Sequence, residues 1–363
     1  MKSHSFSFFT LFILLTCLLA ACGDASTLNT HASASSLPQS QAATGKFQEF
    51  ALPQNDCGLM RPTLDGQGRL WFGEMNRNYL GSFDAHTGTF WQQTPPNGQS
   101  GVMGVVAAPD NTIWFAEQYA NYIGHYFPAT GQYKTYPLPT LHMPDPRDAS
   151  KTVSLPSAPN DLVLDTHGTL WFTELNANAI GSLNSADESI HQYPLTTTPN
   201  AKPLDPYGIA ADPQGTIWFT EISSNQLGQL NPLTGQVSSF TPSGIASTTP
   251  LMEVTSDAQG QIWTTTFAAS QLVRFNPTNH TFTTYSSPVF QGGLYGLTIA
   301  TNGDVWITVT SESMLARFDV KTQRFFYYTI PTPNSLPIGL VEGPHQTIWF
   351  TESGSNKIGI LQP

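Results

Sequence analysis

Gly215-Thr-Ile-Trp-Phe-Thr-Glu221 is one of seven versions of a single phrase in this chain. The others centre on Trp71-Phe-Gly-Glu74, Trp114-Phe-Ala-Glu117, Trp171-Phe-Thr-Glu174, Trp263-Thr-Thr-Thr266, Trp306-Ile-Thr-Val309 and Trp349-Phe-Thr-Glu352. Successive tryptophans lie 43, 57, 47, 45, 43 and 43 residues apart, and seven of the eight Trp are spent on this one position. A step of about 40 to 50 residues is the range of propeller blades and solenoid repeats.

Outward from the phrase, each unit reads as four short strands. In the fourth unit Tyr207-Gly-Ile-Ala-Ala211 leads through Asp212-Pro-Gln-Gly215 into the Trp218 strand. Gln226-Leu-Gly-Gln-Leu230, the turn Asn231-Pro-Leu-Thr-Gly235 and Gln236-Val-Ser-Ser-Phe240 follow. The runs are rich in β-branched and aromatic residues and bounded by Gly, Pro, Asn and Asp, the signature of strands joined by tight turns. Ile217-Trp-Phe219 is apolar on both faces, which suits a strand buried between neighbours.

The last unit lacks its fourth strand, because Lys357-Ile-Gly-Ile-Leu361 runs to the final residue, Pro363. Lys46-Phe-Gln-Glu-Phe-Ala-Leu-Pro53 matches the fourth strands elsewhere, such as Gln132 to Pro139 and Arg324 to Pro331. The reading is all-β: a seven-bladed β-propeller of four-stranded blades, closed by the N-terminal strand pairing with the last blade. Such closure removes exposed sheet edges.

Charged residues are 11% of the chain, with 14 basic against 25 acidic and a formal charge of -11, which disfavours a phosphate-backbone partner. Residues 1–21 read as a signal peptide: Lys2 precedes an apolar run from Phe8 to Leu19, too short for a membrane-spanning helix. Leu19-Ala-Ala-Cys22 resembles the bacterial lipoprotein box, so Cys22 is the expected lipidation site; a plain secretory signal is the alternative. Residues 22–45 are then the lipidated Cys and a Ser, Ala, Thr and Gln tether expected to be flexible, and 46–363 the propeller. This places the protein in the cell envelope, extracytoplasmic and touching membrane only through its anchor. Cys57 is the one cysteine of the propeller, expected as a small packed residue.

The recurring Pro-x-Gly-Ile, Gly-x-Ile-Trp-Phe-Thr-Glu, Asn-x-Ile-Gly and Tyr-Pro-Leu-Pro, over residues 46–363, resemble the virginiamycin B (streptogramin B) lyase family. The resemblance implies a Mg²⁺-assisted carbon–oxygen lyase that opens cyclic ester antibiotics without water. There a base takes the proton α to a carbonyl while the metal stabilises enolate-like charge. The family's catalytic segment reads Glu-Pro-His-Gly-Ile, with the His as base, the Glu on metal, and a second metal-binding Glu after a Trp-Phe motif.

Eleven residues before each Trp stand Met60, Met103, Asn160, Tyr207, Met252, Tyr295 and Ile338, none of them histidine. The nearest match is Asp205-Pro-Tyr207-Gly-Ile209 with Glu221, which gives Asp205 and Glu221 as metal ligands and Tyr207 as a candidate catalytic or stacking residue. His142, in the long insertion Leu141 to Ala158, is the one histidine expected in a loop on the catalytic face. Arg61, Asp161 and Glu253 replace a Gly found at the same place in four units and are candidate binding residues. The five motif glutamates form either an axial ring that holds a cation or a repeated element of blade architecture. Two functions follow: a lyase on a small cyclic peptide or ester, or a monomeric, non-catalytic propeller binding a peptide, glycan or protein on its loop-rich face.

Overall fold

A computed structural model describes residues 40–145, 148–195, 204–246, 248–287, 289–290 and 292–363. The expected signal peptide and Cys22 lie outside the described residues. Seven antiparallel four-stranded sheets follow one another, each with the Trp strand second. Neighbouring first strands pack side by side around the cycle, and Pro337–Glu342 of blade seven packs back against Leu59–Leu64 of blade one. The ring is closed as the sequence implies: Lys46–Ala51 pairs antiparallel with Lys357–Gln362 as the outer strand of blade seven.

One strand was not foreseen. Ser40–Ala42 falls inside the stretch expected as tether, yet it pairs parallel with Arg324–Thr329 on the outer edge of blade six. Ser40 Oγ also meets Ser287 Oγ at 2.6 Å, beside the outer strand of blade five. Gly45 then carries the chain against Leu361 and the Gln362 carbonyl, where a Cβ would collide. Residues 40–45 are therefore a strap over the rim.

The repeated phrase has a packing cause at each letter. Each Trp fills the gap to the next blade: Trp71 packs with Val102, Ile113 and Phe115, and Trp218 with Leu251, Ile262 and Phe275. The protein thus has a ring of inter-blade cores in place of one centre, which is how a chain of this length stays in one fold. In blades one, three, four and five the Asp six residues earlier accepts the indole N–H, at 2.8 Å for Asp212 and Trp218. The other Asp212 oxygen accepts the backbone N–H groups of Gln214 and Thr216, so one carboxylate fixes both turn and ring. A hydrogen bond to a charged group contributes about 1.5–3 kcal/mol.

Phe and Glu of the phrase lie on the opposite face from Trp and depend on the Gly of the third strand. Phe219 is registered opposite Gly228, and a Cβ on Gly228 would strike the ring. With no side chain in the way, Glu74 reaches across to Gln92 on the outer strand at 2.6 Å, and Glu221 to Ser239 at 2.6 Å. Blades five and six confirm the coupling: Phe, Glu and Gly are lost together, leaving Thr264 opposite Val273 and Ile307 opposite Ala316.

Candidate functional site

All seven first strands carry a β-bulge at the same place, two residues opposing one on the Trp strand. The pairs are Met60-Arg61, Met103-Gly104, Asn160-Asp161, Tyr207-Gly208, Met252-Glu253, Tyr295-Gly296 and Ile338-Gly339. Bulges re-aim side chains that a regular strand would alternate between faces. Around the axis the bulges are tied blade to blade by threonine hydroxyls of the Trp strands. Thr173 donates to the Tyr207 carbonyl at 2.9 Å, Thr220 to Met252 at 2.6 Å, Thr265 to Tyr295 at 2.5 Å and Thr308 to Ile338 at 3.1 Å. Gly is common at the second bulge position because the neighbour's backbone is so near; a Cβ on Gly296 would collide with the Ile338 carbonyl.

The three blades without that Gly send charge into the axis. Arg61 of blade one donates through Nε at 2.8 Å and Nη2 at 2.5 Å to Glu253 Oε1 of blade five, and its Nε lies 3.8 Å from Asp161 Oδ2 of blade three. Blades one, three and five are not neighbours, so these contacts cross the centre of the ring. The guanidinium also lies 4.9 Å over the Tyr207 ring, whose hydroxyl is bonded to that of Tyr295. Tyr207, Met252, Tyr295 and Ile338 are buried together, with Met60, Leu175, Ile222 and Phe267 half-buried around them. Burial pushes both the Asp161 and Glu253 carboxyls up, and Arg61 pulls both down. One guanidinium thus serves two carboxyls, while its Nη1 is buried with no hydrogen-bond partner.

The Virginiamycin B lyase family profile matches residues 19–243 and 245–363, nearly the whole chain. The chain belongs to that family. A streptogramin B lyase structure is 25% identical, covering 88% of this chain and 97% of that one at a TM-score of 0.74. A catalytically inactive histidine-to-alanine variant of the Staphylococcus aureus virginiamycin B lyase, solved with quinupristin, is also 25% identical, covering 88% and 100% at a TM-score of 0.75. The extracellular domain of a B. thetaiotaomicron hybrid two-component system shares the fold at 17% identity, covering 87% of this chain and 42% of that one at a TM-score of 0.65. No curated protein is matched.

The residues that answer to the lyase family's catalytic segment sit differently from one another. Tyr207 is 5% exposed, and burial pushes its hydroxyl up despite Arg61 over the ring. A phenol held in its neutral form donates hydrogen bonds and does not accept a proton near neutral pH. Asp205 is half-buried, in a left-handed turn at φ 52°, and accepts a bond from Ser223 Oγ. Glu221 is wholly buried, with its oxygens taken by Ser239 at 2.6 Å and Ser224 at 2.8 Å. A hydrated Mg²⁺ requires carboxylate oxygens open to water. Glu221 offers none, and among the described residues no three His, Cys, Asp or Glu gather as a metal set. This donor set does not fit the ion. Glu74, Glu117 and Glu174 are likewise buried within their blades, Glu117 and Glu174 pushed up to about 7 by burial, so the architectural reading holds over the axial ring.

His142 lies not in a loop but in a hairpin, Thr140–Asp145 with Asp148–Pro156, where its Nδ1 is 3.0 Å from Ser154 Oγ. The hairpin base is clamped by Asn121, whose amide donates to the Leu138 and Pro139 carbonyls and whose carbonyl accepts from Ala158 N–H. His125 in blade two stacks on Trp114, ring centroids 3.6 Å apart, with Thr112 Oγ1 at 2.7 Å from its Nε2. Burial pushes it down to about 4, offset in part by Asp110. A folded value below the ordinary 6.5 favours the neutral ring, so this contribution is complete above 6.5 and is lost as pH falls towards 4. We expect chemical denaturation to show that acid limb in the native protein and a flatter one in His125→Phe. Cys57 is buried, bonded to the Gln54 carbonyl and pushed up to about 12 mainly by burial, which makes it a packed thiol and not a nucleophile.

Proposed function

We propose that this chain is a binding propeller of the virginiamycin B lyase family that does not perform the elimination, held as a monomer on the outer side of a membrane by a lipid on Cys22. The observation that carries this is the axial cluster: Arg61 is held between Asp161 and Glu253 where the bulges converge, and Tyr207 stands where the family has its histidine. In the staphylococcal relative, loss of a single histidine gives an inactive protein that was solved with quinupristin. A scaffold of this kind binds a small cyclic peptide or ester without opening it. The Leu19-Ala-Ala-Cys22 box and the Ser- and Ala-rich segment after it support the anchor.

The second reading, a lyase conferring streptogramin resistance, is favoured by the sequence Asp205-Pro-Tyr207-Gly-Ile209 with Glu221 in the family's positions. One assay separates the two. Elimination leaves mass unchanged, so a ring-opened product is a chromatographically distinct isomer with linear fragmentation, whereas hydrolysis adds one water. We expect quinupristin incubated with the protein and Mg²⁺ to be recovered intact, while the staphylococcal lyase converts it. A linear isomer that disappears in Tyr207→Phe would establish the lyase instead.

A further inference from the structure

In blades one, three and four the motif glutamate faces a neutral partner across the third-strand glycine: Gln92, Gln192 or Ser239. In blade seven the residue opposite Gly359 is Glu49, on the strand that closes the ring. Two carboxyls therefore meet at the seam. Glu352 is fully buried; Oε2 accepts from Ser355 Oγ at 2.6 Å, while Oε1 is buried and accepts no hydrogen bond. A proton on that oxygen makes it a donor, with Glu49 as acceptor. Glu49 also receives the Thr332 N–H at 3.3 Å and lies 3.7 Å from Lys357 Nζ, which donates to Thr332 Oγ1 at 2.6 Å. Lys357 thus sits beside Glu49, while the Glu352 oxygen has no donor of its own. Burial pushes Glu352 up to about 7, and Glu49 pushes the same way against Ser355 and Lys357.

We propose that Glu49 and Glu352 form a proton latch on ring closure: a single shared proton seats strand Lys46–Ala51 on blade seven, and its loss loosens that strand. The folded state holds the proton more tightly than the ordinary carboxyl of the unfolded chain. The contribution is therefore complete below about 4.5 and is lost as pH rises through about 7.

Hydrogen exchange on the full-length protein at pH 6 and pH 8, corrected for intrinsic rates, reads the latch directly. Protection of residues 46–51 is expected to fall about tenfold at the higher pH, with Ile262–Thr266, where Thr266 replaces the motif glutamate, unchanged as an internal reference. Glu352→Gln, whose amide donates to Glu49 at any pH, is expected to keep the strand protected at both. Glu49→Gln, a second variant should the first not fold, is expected to move the midpoint to lower pH. Constant protection in the native protein, an equal fall at Ile262–Thr266, an equal fall in Glu352→Gln, or an unmoved midpoint in Glu49→Gln would each overturn the proposal.

Discussion

Arg61→Met is expected to lower the unfolding free energy by about 3–5 kcal/mol, the usual cost of removing one partner from a buried ion pair. Arg61 is the cation of the axial cluster, with side chains of 12% exposure for itself and 8% for Glu253. Without it, Asp161 and Glu253 must either take up protons or stay charged in a site closed to water. Isothermal urea denaturation would measure the loss, and it should shrink at low pH, where the two carboxyls are neutral. The triple variant Arg61→Met, Asp161→Asn, Glu253→Gln removes all formal charge and should recover most of the stability. A loss below about 1 kcal/mol for Arg61→Met, typical of a solvent-exposed pair, would mean that the cluster is open to water.

Removing every residue before 52 should have a still larger effect, with loss of the soluble monomer. The deletion takes away the outer strand of blade seven and the strap on blade six. Phe50, whose ring lies 4.7 Å from Phe83, and Phe47, 6.2 Å from Phe350, go with it. Both rings are half-buried against the blade cores, so their loss adds to that of the strand's backbone pairing. The edge Lys357–Gln362 would also be left unpaired, an invitation to strand addition between molecules. Size-exclusion chromatography checks this, and a peptide of residues 40–53 supplied in trans should restore a monomer. A truncated protein that stays monomeric with an unchanged melting temperature would refute the closure as a source of stability.

Blade number and closure were legible because the indole fills a gap that recurs at every blade interface. The same logic made Phe, Glu and Gly readable as one unit, since blades five and six lose all three together; that co-variation within the chain points to the blade interior rather than the axis. The axial cluster was half legible. Arg61, Asp161 and Glu253 stand out as departures from Gly, and their signs are complementary, but their meeting depends on a ring that brings blades one, three and five face to face. Tyr295 shares the register of Tyr207, but their contact likewise depends on the ring. The strap strand was not legible, because Ser40-Gln-Ala42 pairs through its backbone and has no β-branched residue to announce it. The hairpin is not legible as one because the long insertion between blades two and three lies outside the four-strand repeat.

The seam in blade seven also sets an order of events during synthesis. Strand Lys46–Ala51 leaves the ribosome before any complete blade, and its partner Lys357–Gln362 leaves after all the others. Blades one to six each have all four of their own strands once they emerge, but strand Lys46–Ala51 waits, aromatic and unpaired, until its partner is made. Exchange of that strand between partly folded molecules is the failure mode this seam invites.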